Sequence, residues 1–499
     1  EWGQVARRFL RDTSKFNGMH FLESSGWPLT LQELGIVIGL AAGNGLSELQ
    51  MHVGNSVVPA PPIQRRSIDT RIRSVPTELR ALAVSYHTAL LREPLSLWRR
   101  LLQRQVRVHA EVHVLDPGAQ RVEDVERLHT SCRFIDGAWC ATDERLLQLN
   151  ELISPALLEC FDGDHKTRHN WIQDIGAFEN RFVQLVGNDP RWHNADFYIC
   201  GEPVLFCHIL GFFGKPVVGI ISTPLSVMVG SWDRSAWYER FYEMSLDARY
   251  LLASTTPIFA ELIRYATGAV LPVVSPVCVY TEASYWPTRQ DEVLLLRTIS
   301  VFWDSECVLN YFVKEAGIEP LRFVDSTSLS DEERVGYTTF ASFRATVIFP
   351  YAVSQFWFYE LYAMGVPLFL PSRDTLALFV NQDYTTCSDF DGYRPGYDPN
   401  SSHPYSPFAS SDWHAMSYWC SYTDYYRFPH LSYFSSVPEL VRNMAQTDLR
   451  KQSQLMQSAH LEHLGWAATF WKDALAEVAV ASGAGMQHSA EDAQHTSSS

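Results

Sequence analysis

This chain lacks a run long and apolar enough to cross a bilayer as a helix. Its most apolar stretch, residues 204–230, is interrupted by His208, Lys215 and Pro216. The pieces are about 11 and 14 residues long, against the roughly 20 that a span requires. No signal peptide is visible at the start, which opens on Glu1 rather than Met. A membrane anchor upstream of Glu1 stays open, and with it the compartment, whether cytoplasm or Golgi or ER lumen. Basic residues are in deficit: 40 Lys and Arg stand against 56 Asp and Glu, a formal charge of −16. Nucleic-acid binding calls for a basic patch or stripe. The Arg99, Arg100, Arg104 and Arg107 cluster sits at helical spacing and reads as a solvated helix face. No nucleic-acid partner is expected from a chain that repels phosphate polymers. A small phosphorylated ligand held by local amides remains compatible.

Metal and dinucleotide signatures are missing too. The nine cysteines include no C-x-x-C pair, so no zinc site is expected. Cys200, Cys207 and Cys278 lie in apolar runs and read as buried free thiols. "LGIVIGLAAGNGL" carries Gly39, Gly43 and Gly45, which is not the G-x-G-x-x-G order, and reads as a turn. Asp162-Gly163-Asp164 spells a D-x-D string, but it follows a segment (143–161) that reads as helix. His165 and His169 could share a metal only if they lay on a helix. The stretch reads as a solvated loop, and no metal is assigned.

What is present is a core-forming composition. Of 499 residues, 46% are apolar and only 19% charged, enough for two or three domains with sizeable cores. Aromatics are 13%, which reads first as dense core. Residues 77–105 look helical, and "VRVHAEVHVLD" alternates like a half-buried strand. From Asp196 the pattern becomes regular. "DFYIC", "KPVVGIIS", "RYLLAST" and "VLPVVSPV" read as strands, separated by helices such as "TPIFAELIRYATGA", with Pro257 in its first turn and Gly268 near its end. A second series follows a polar segment carrying Pro287: strands "VLLLR", "LRFVD", "ATVIFP" and "VPLFLPS" alternate with helices. One of these helices, "SDEERVGYTTFASF", has Ser330 as its N-cap.

Strands alternating with helices predict parallel, doubly wound sheets. The expected fold class is therefore α/β, with two Rossmann-like domains facing a cleft. The expected boundaries are an N-terminal domain over 1–282, a linker over 283–292 and a second α/β domain over 293–436 with a long loop at 381–435. Closing helices over 437–482 and a disordered tail over 483–499 complete the chain. Asn400-Ser401-Ser402 in that loop fits a glycosylation sequon.

Ligands of open α/β sheets bind beyond the carboxyl ends of the strands. In the first domain those positions are Gly201 and Glu202, after "DFYIC", and Ser222 and Thr223, after "VVGIIS". Glu202 is a candidate general base, and it would equally suit a helix N-terminus. His20 and His52 are alternatives. In the second domain they are Arg297, Ser326 and Thr327, with Tyr351, Ser354 and Gln355 following the strand "ATVIFP". Arg297 is a cation fit for a diphosphate or for a surface ion pair.

The most informative stretch is "ATVIFPYAVSQFWFYELYAMGVPLFLPS". A buried strand ends at Pro350, a loop leads to a helix, and the helix carries Glu360-Leu-Tyr-Ala363-Met-Gly365-Val-Pro367. This E-x-x-A-x-G-x-P element resembles the nucleotide-binding segment of GT-B glycosyltransferases, and the resemblance extends over roughly residues 195–480. It implies a GT-B fold with C-terminal helices and a glycosyltransferase that moves a sugar from a nucleotide-sugar donor to a hydroxyl acceptor. The acceptor would be a glycan, protein or lipid. It implies that Glu360 holds ribose hydroxyls, that the preceding loop and helix start receive the pyrophosphate, and that no cofactor is needed beyond the co-substrate. Ala352 stands where many retaining members carry an acid. That departure keeps two alternatives in view, a catalytically silent GT-B scaffold or glycan-binding protein, and a sugar-nucleotide epimerase.

Overall fold

The computed structural model describes residues 77–85, 89–114, 138–141, 143–160, 165–172, 174–230, 233–296, 305–315, 317–318, 320–330, 332–333, 336–350, 352–373, 376, 403–407 and 413–483. Several expectations lie outside them: the Gly39–Gly45 turn, His20, His52, Asp162 and Asp164, Arg297, Tyr351, the Asn400 sequon and nearly all of the tail.

The described residues fall into two compact units. The first lies within Gln64–Thr281, Tyr384–Asp424 and His460–Ser499. It opens with β1 (Thr77–Ser85), α1 (Ala89–Leu97), β2 (Val106–Val114), β3 (Ala138–Ala141) and the hairpin β4 (Ile153–Cys160) and β5 (His165–Ile172). There follow α2 (Ile175–Val186), β6 (Phe197–Cys200), α3 (Leu205–Leu210), β7 (Val217–Ile221), α4 (Arg234–Leu246), β8 (Tyr250–Ser254) and α5 (Pro257–Thr267). Six strands form one parallel sheet in the order β3-β2-β1-β6-β7-β8. Counting only these six, the order is 3-2-1-4-5-6, that of a Rossmann sheet, whose switch point falls between β1 and β6.

Both faces are covered, as doubly wound sheets require. Leu82, Val84, Tyr198, Val217 and Ile221 face α2 and α4 through Phe178, Phe182, Trp237 and Phe241. The alternate residues Leu79, Ala81, Ala83, Phe197, Ile199 and Val218 pack with Leu91, Leu95 and Trp98. The strand side chains alternate because the pleat has period two.

Three segments differ from the sequence reading. Residues 77–85 are a strand, not a helix: the Leu and Ala of "TELRALAVS" favour helix intrinsically, but pairing with β2 and β6 and burial on two faces override that weak preference. The helix expected over 143–161 stops at Leu147 and a 3-10 turn, and its second half is β4, antiparallel to β5. His165 and His169 therefore lie on a strand and lack the helical spacing a shared metal needed. "VLPVVSPV" makes a single bridge, Ser254 to Val273, because Pro272 and Pro276 remove ladder donors.

The second unit lies within Glu282–Asp383 and Tyr425–Ala459. In chain order it contains β9 (Arg289–Leu296), α6 (Ser305–Glu315), β10 (Arg322–Asp325), β11 (Phe343–Ile348), α7 (Phe356–Met364) and β12 (Leu368–Pro371). After α8 (Trp413–Cys420), which belongs to the first unit, come β13 (Ser432–Phe434) and α9 (Val437–Gln446). The five strands are parallel in the order β10-β9-β11-β12-β13, equivalent to 2-1-3-4-5, with the switch point between β9 and β11. Leu309 and Val313 of α6 and Leu440, Val441 and Met444 of α9 cover one face. The expected helix over 330–343 is broken at Gly336. Its N-cap is as read: Ser330 Oγ accepts from Glu333 N, and the Glu333 carboxylate accepts from Ser330 N, a capping box.

Residues 403–424, read from the sequence as part of a loop of the second domain, cluster with the first unit. His403 bridges Tyr418 at 2.8 Å and Glu261 of α5 at 3.1 Å, and Trp419 stacks edge-on with Tyr265. Trp419 and Tyr422 are buried core, Tyr418 is half-buried and Tyr405 is exposed.

The last helix, α10 (Leu449–Ala481), belongs to the second unit up to Ala459 and to the first from His460. Burial and the neighbouring His463 lower the His460 pKa to about 4. An unfolded histidine takes up its proton first, so stability falls as pH drops from about 6.5 toward 4. The loss is about 2–3 kcal/mol at most. Urea midpoints at pH 7.5 and 4.5 should diverge less in His460→Gln than in the parent.

Candidate functional site

The carboxyl edge of the first sheet collects both loops that the sequence pointed to in the first domain, together with the end of β1. β6 ends in Cys200, Gly201 and Glu202 follow, and β1 beside it ends in Ser85, so these residues flank the switch point. Ser85 Oγ lies 3.4 Å from both the amide nitrogen and the carbonyl oxygen of Glu202. A Cβ on Gly201 would come within 3.2 Å of that hydroxyl, so glycine allows the two strand ends to close up. The Glu202–Pro203 peptide bond is cis. The Glu202 carboxyl is part-buried, and desolvation pushes its pKa up to about 7. Among the described residues no side chain or amide is hydrogen-bonded to that carboxyl.

Ser222 and Thr223 follow β7, the next strand along. Their hydroxyl oxygens are buried and have no hydrogen-bond partner among the described residues. Buried polar atoms are normally satisfied, so such pairs mark a place where a water or ligand belongs. Just beyond, Pro224, Leu225 and Ser226 line a small niche with Tyr238, Phe259 and Ile263. One edge thus offers a carboxyl that titrates near neutrality, two unsatisfied hydroxyls and an apolar wall.

In the second unit, Ser326 and Thr327 form a 3-10 turn after β10. Thr327 donates both its N–H and its hydroxyl to Asp325 Oδ1, each at 2.7 Å. That threonine hydroxyl is therefore already committed within its own turn. After β11 the chain passes through Ala352 and Ser354 to buried Gln355, which precedes α7. Ser354 Oγ lies 3.3 Å from the Tyr359 hydroxyl, and Tyr425 donates to the Ala352 carbonyl. The start of α7 follows β11 at the carboxyl edge, and among the described residues no side chain caps it, so its first-turn N–H groups and positive dipole end make a setting suited to an anion.

The E-x-x-A-x-G-x-P element can now be read in physical terms. Gly365 has φ +73°, its N–H reaches Tyr362 O, and the Val366 N–H reaches Leu361 O. This is a Schellman ending, which favours glycine. Pro367 offers its carbonyl to Thr346 N and opens β12. Gly365 and Pro367 therefore answer to the backbone. Glu360 does not: it is 7% exposed, and its Oε1 accepts from the Tyr337 hydroxyl at 2.8 Å. A solvated helix face does not describe it.

Sequence reasoning missed Ser85 and Tyr337. Ser85 was hidden by the helical reading of β1, and Tyr337 lies 23 residues from Glu360, beyond a broken helix. The free thiols expected at Cys200 and Cys207 are instead a disulfide, because β6 and α3 bring their Cα atoms to 5.2 Å. Cys278 is buried, as read, and outside any disulfide. Among the described residues no cluster of His, Cys, Asp or Glu could hold a metal.

No family model and no curated protein matches this chain. Solved structures do resemble it. The calicheamicin glycosyltransferase CalG4 aligns with 81% of this chain and 98% of its own, at 12% identity and TM-score 0.39. UGT73P12 of Glycyrrhiza uralensis, complexed with glycyrrhetinic acid 3-O-monoglucuronide, aligns with 85% and 100%, at 10% and 0.39. The spinosyn rhamnosyltransferase SpnG, complexed with thymidine diphosphate, aligns with 79% and 99%, at 9% and 0.37. At such identities and TM-scores the likeness is distant and assigns no activity. The α/β architecture of two parallel sheets rests on the strand orders themselves.

Proposed function

We propose that the protein is a glycosyltransferase that moves a sugar from a nucleotide-sugar to a hydroxyl acceptor. The observation that carries this reading is the desolvated Glu202 carboxyl after β6 and the Ser222 and Thr223 hydroxyls, unsatisfied among the described residues, after the adjacent β7, at one carboxyl edge of a Rossmann-type sheet. A base that titrates near neutrality suits removal of a hydroxyl proton. In the transfer, the acceptor proton passes to Glu202 as the acceptor oxygen bonds to the anomeric carbon. The bond from that carbon to the diphosphate breaks, and the nucleoside diphosphate leaves with the electron pair. Ser222, Thr223 and Gly201 line the acceptor side.

The donor belongs to the second unit in this reading. The first turn of α7, with Tyr351, Ser354 and Gln355 before it, takes the diphosphate, aided by Arg297 after β9. Glu360 takes the ribose hydroxyls, with Ser326 and Thr327 toward the base. The acceptor in this reading is a glycan, protein or lipid hydroxyl.

A second reading is favoured by two features: Ala352 stands where many retaining members of the resembled family carry an acid, and Glu360 is already bonded to Tyr337. It makes the chain a silent scaffold or glycan-binding protein; a sugar-nucleotide epimerase, needing no acceptor, is separated by product analysis. Thermal stability with UDP, GDP, TDP and their sugars decides between donor binding and none. A ligand at 100 times its Kd should add about 2.7 kcal/mol. Donor binding predicts that one nucleotide stabilises the parent and that Glu360→Ala loses the gain. If none stabilises the parent, the scaffold reading replaces the transferase.

A further inference from the structure

The loop that carries Glu202 is closed at both ends by sulfur. Cys200 is the last residue of β6, Cys207 lies in the first turns of α3, and their disulfide encircles residues 201–206. Both cysteines are wholly buried. The neighbouring strand makes room for them: a Cβ on Gly219 of β7 would sit 3.0 Å from Cys207 Sγ and 3.4 Å from Cys200 Sγ. Among the described residues, the hydrogen-bond ties on the Glu202 backbone are the two contacts to Ser85 Oγ at 3.4 Å, beyond the usual hydrogen-bond distances. The covalent link is thus the firmest constraint on where the Glu202 backbone sits.

We propose that the Cys200–Cys207 disulfide is a positioning element for the Glu202 carboxyl, so that reducing it frees the loop and lets water reach that carboxyl. In the reduction a dithiol supplies two electrons and two protons. The S–S bond breaks, two thiols form, and the reductant becomes a disulfide. Cys200 and Cys207 touch no substrate; they act through Glu202. The inference does not depend on the transferase reading, because its readout is the ionisation of Glu202.

The test uses the full chain. The tryptic peptide from Trp192 to Arg234 holds both cysteines, since Lys215 is followed by Pro216. Without reductant its mass should be that of the bridged form. The pH midpoint of Glu202 is then read as the difference in thermal stability between parent and Glu202→Gln across pH 4–9. In the oxidised protein that midpoint should lie near 7. In Cys200→Ala/Cys207→Ala, or in the parent kept in dithiothreitol, it should move by at least about one pH unit toward the ordinary carboxylate value. A loss of packing alone would lower stability at every pH and leave the midpoint in place. Should the double variant fail to fold, the dithiothreitol-treated parent gives the same reading. A peptide with free thiols in the unreduced chain, an absent midpoint near 7, or one that stays put on reduction overturns the proposal.

Discussion

With Glu202 as the base of the proposed transfer, Glu202→Gln should lower that activity by roughly 10²–10⁴-fold, the usual contribution of a positioned general base. The same change should make the protein more stable above neutral pH. Desolvation raises the folded carboxyl from 4.5 to about 7, so the folded state holds the proton more tightly than the unfolded chain does. Stability linked to this group is complete below pH 4.5 and is lost as pH rises through 7. The loss amounts to about 2–3 kcal/mol once partial solvent screening is allowed for. Glutamine keeps the shape and cannot ionise, so the variant should match the parent at pH 4 and exceed it at pH 8.5. Chemical denaturation at the two pH values checks the stability arm, and product formation with the stabilising nucleotide-sugar checks the catalytic arm. A variant that is more stable at high pH yet fully active would leave the carboxyl desolvated but remove it from the chemistry.

Such opposing effects on activity and stability are expected where a buried ionisable group serves a reaction. The arrangement at β6 and β7 has that character. Ser222 and Thr223, after the strand next to that of Glu202, keep buried hydroxyls unsatisfied among the described residues, whereas Thr327 in the second unit satisfies its hydroxyl within its own turn. The two edges therefore differ in kind. The first presents two side-chain hydroxyls, of Ser222 and Thr223, that are unsatisfied among the described residues, and the second presents backbone N–H groups at the start of α7.

Much of this was legible in the sequence because its periodicities are strong. "KPVVGIIS" is a run of β-branched residues bounded by turn residues, and it folds as β7, buried on both faces. Pro257 and Gly268 mark the ends of α5, where the structure has them at the first turn and at a left-handed cap. Gly201, Glu202, Ser222 and Thr223 follow from position alone, since whatever follows a parallel strand lies at its carboxyl edge. What was not legible depended on partners distant in sequence. β1 has the composition of a helix, and only the neighbouring β2 and β6 make it a strand. With β1 misread, the switch point and Ser85 could not be seen. Nor could the pairing of Cys200 with Cys207, because a spacing of seven does not place two sulfurs together until a strand, a loop and a helix are folded around them.

The largest stability effect should come from the other face of the first sheet. Trp98 is 1% exposed, and its ring meets Trp471 of α10 edge-on at 5.4 Å and Phe197 of β6 at 6.2 Å. It therefore joins the far end of the chain to the strand that precedes Glu202. Trp98→Ala should destabilise by about 3–5 kcal/mol, the range for emptying a large aromatic site. Part of what tryptophan brings is unfavourable, however. Its Nε1 is buried and has no acceptor among the described residues. An unsatisfied buried donor costs about 1–3 kcal/mol. Trp98→Phe removes that donor, keeps most of the ring contact and leaves a smaller cavity, so its loss should be about 1 kcal/mol or less. Equilibrium unfolding of the parent and the two variants at pH 7.5 separates the terms. If phenylalanine proves nearly as damaging as alanine, the indole N–H has a partner after all, and the Trp98 site owes its stability to that bond as well as to ring packing.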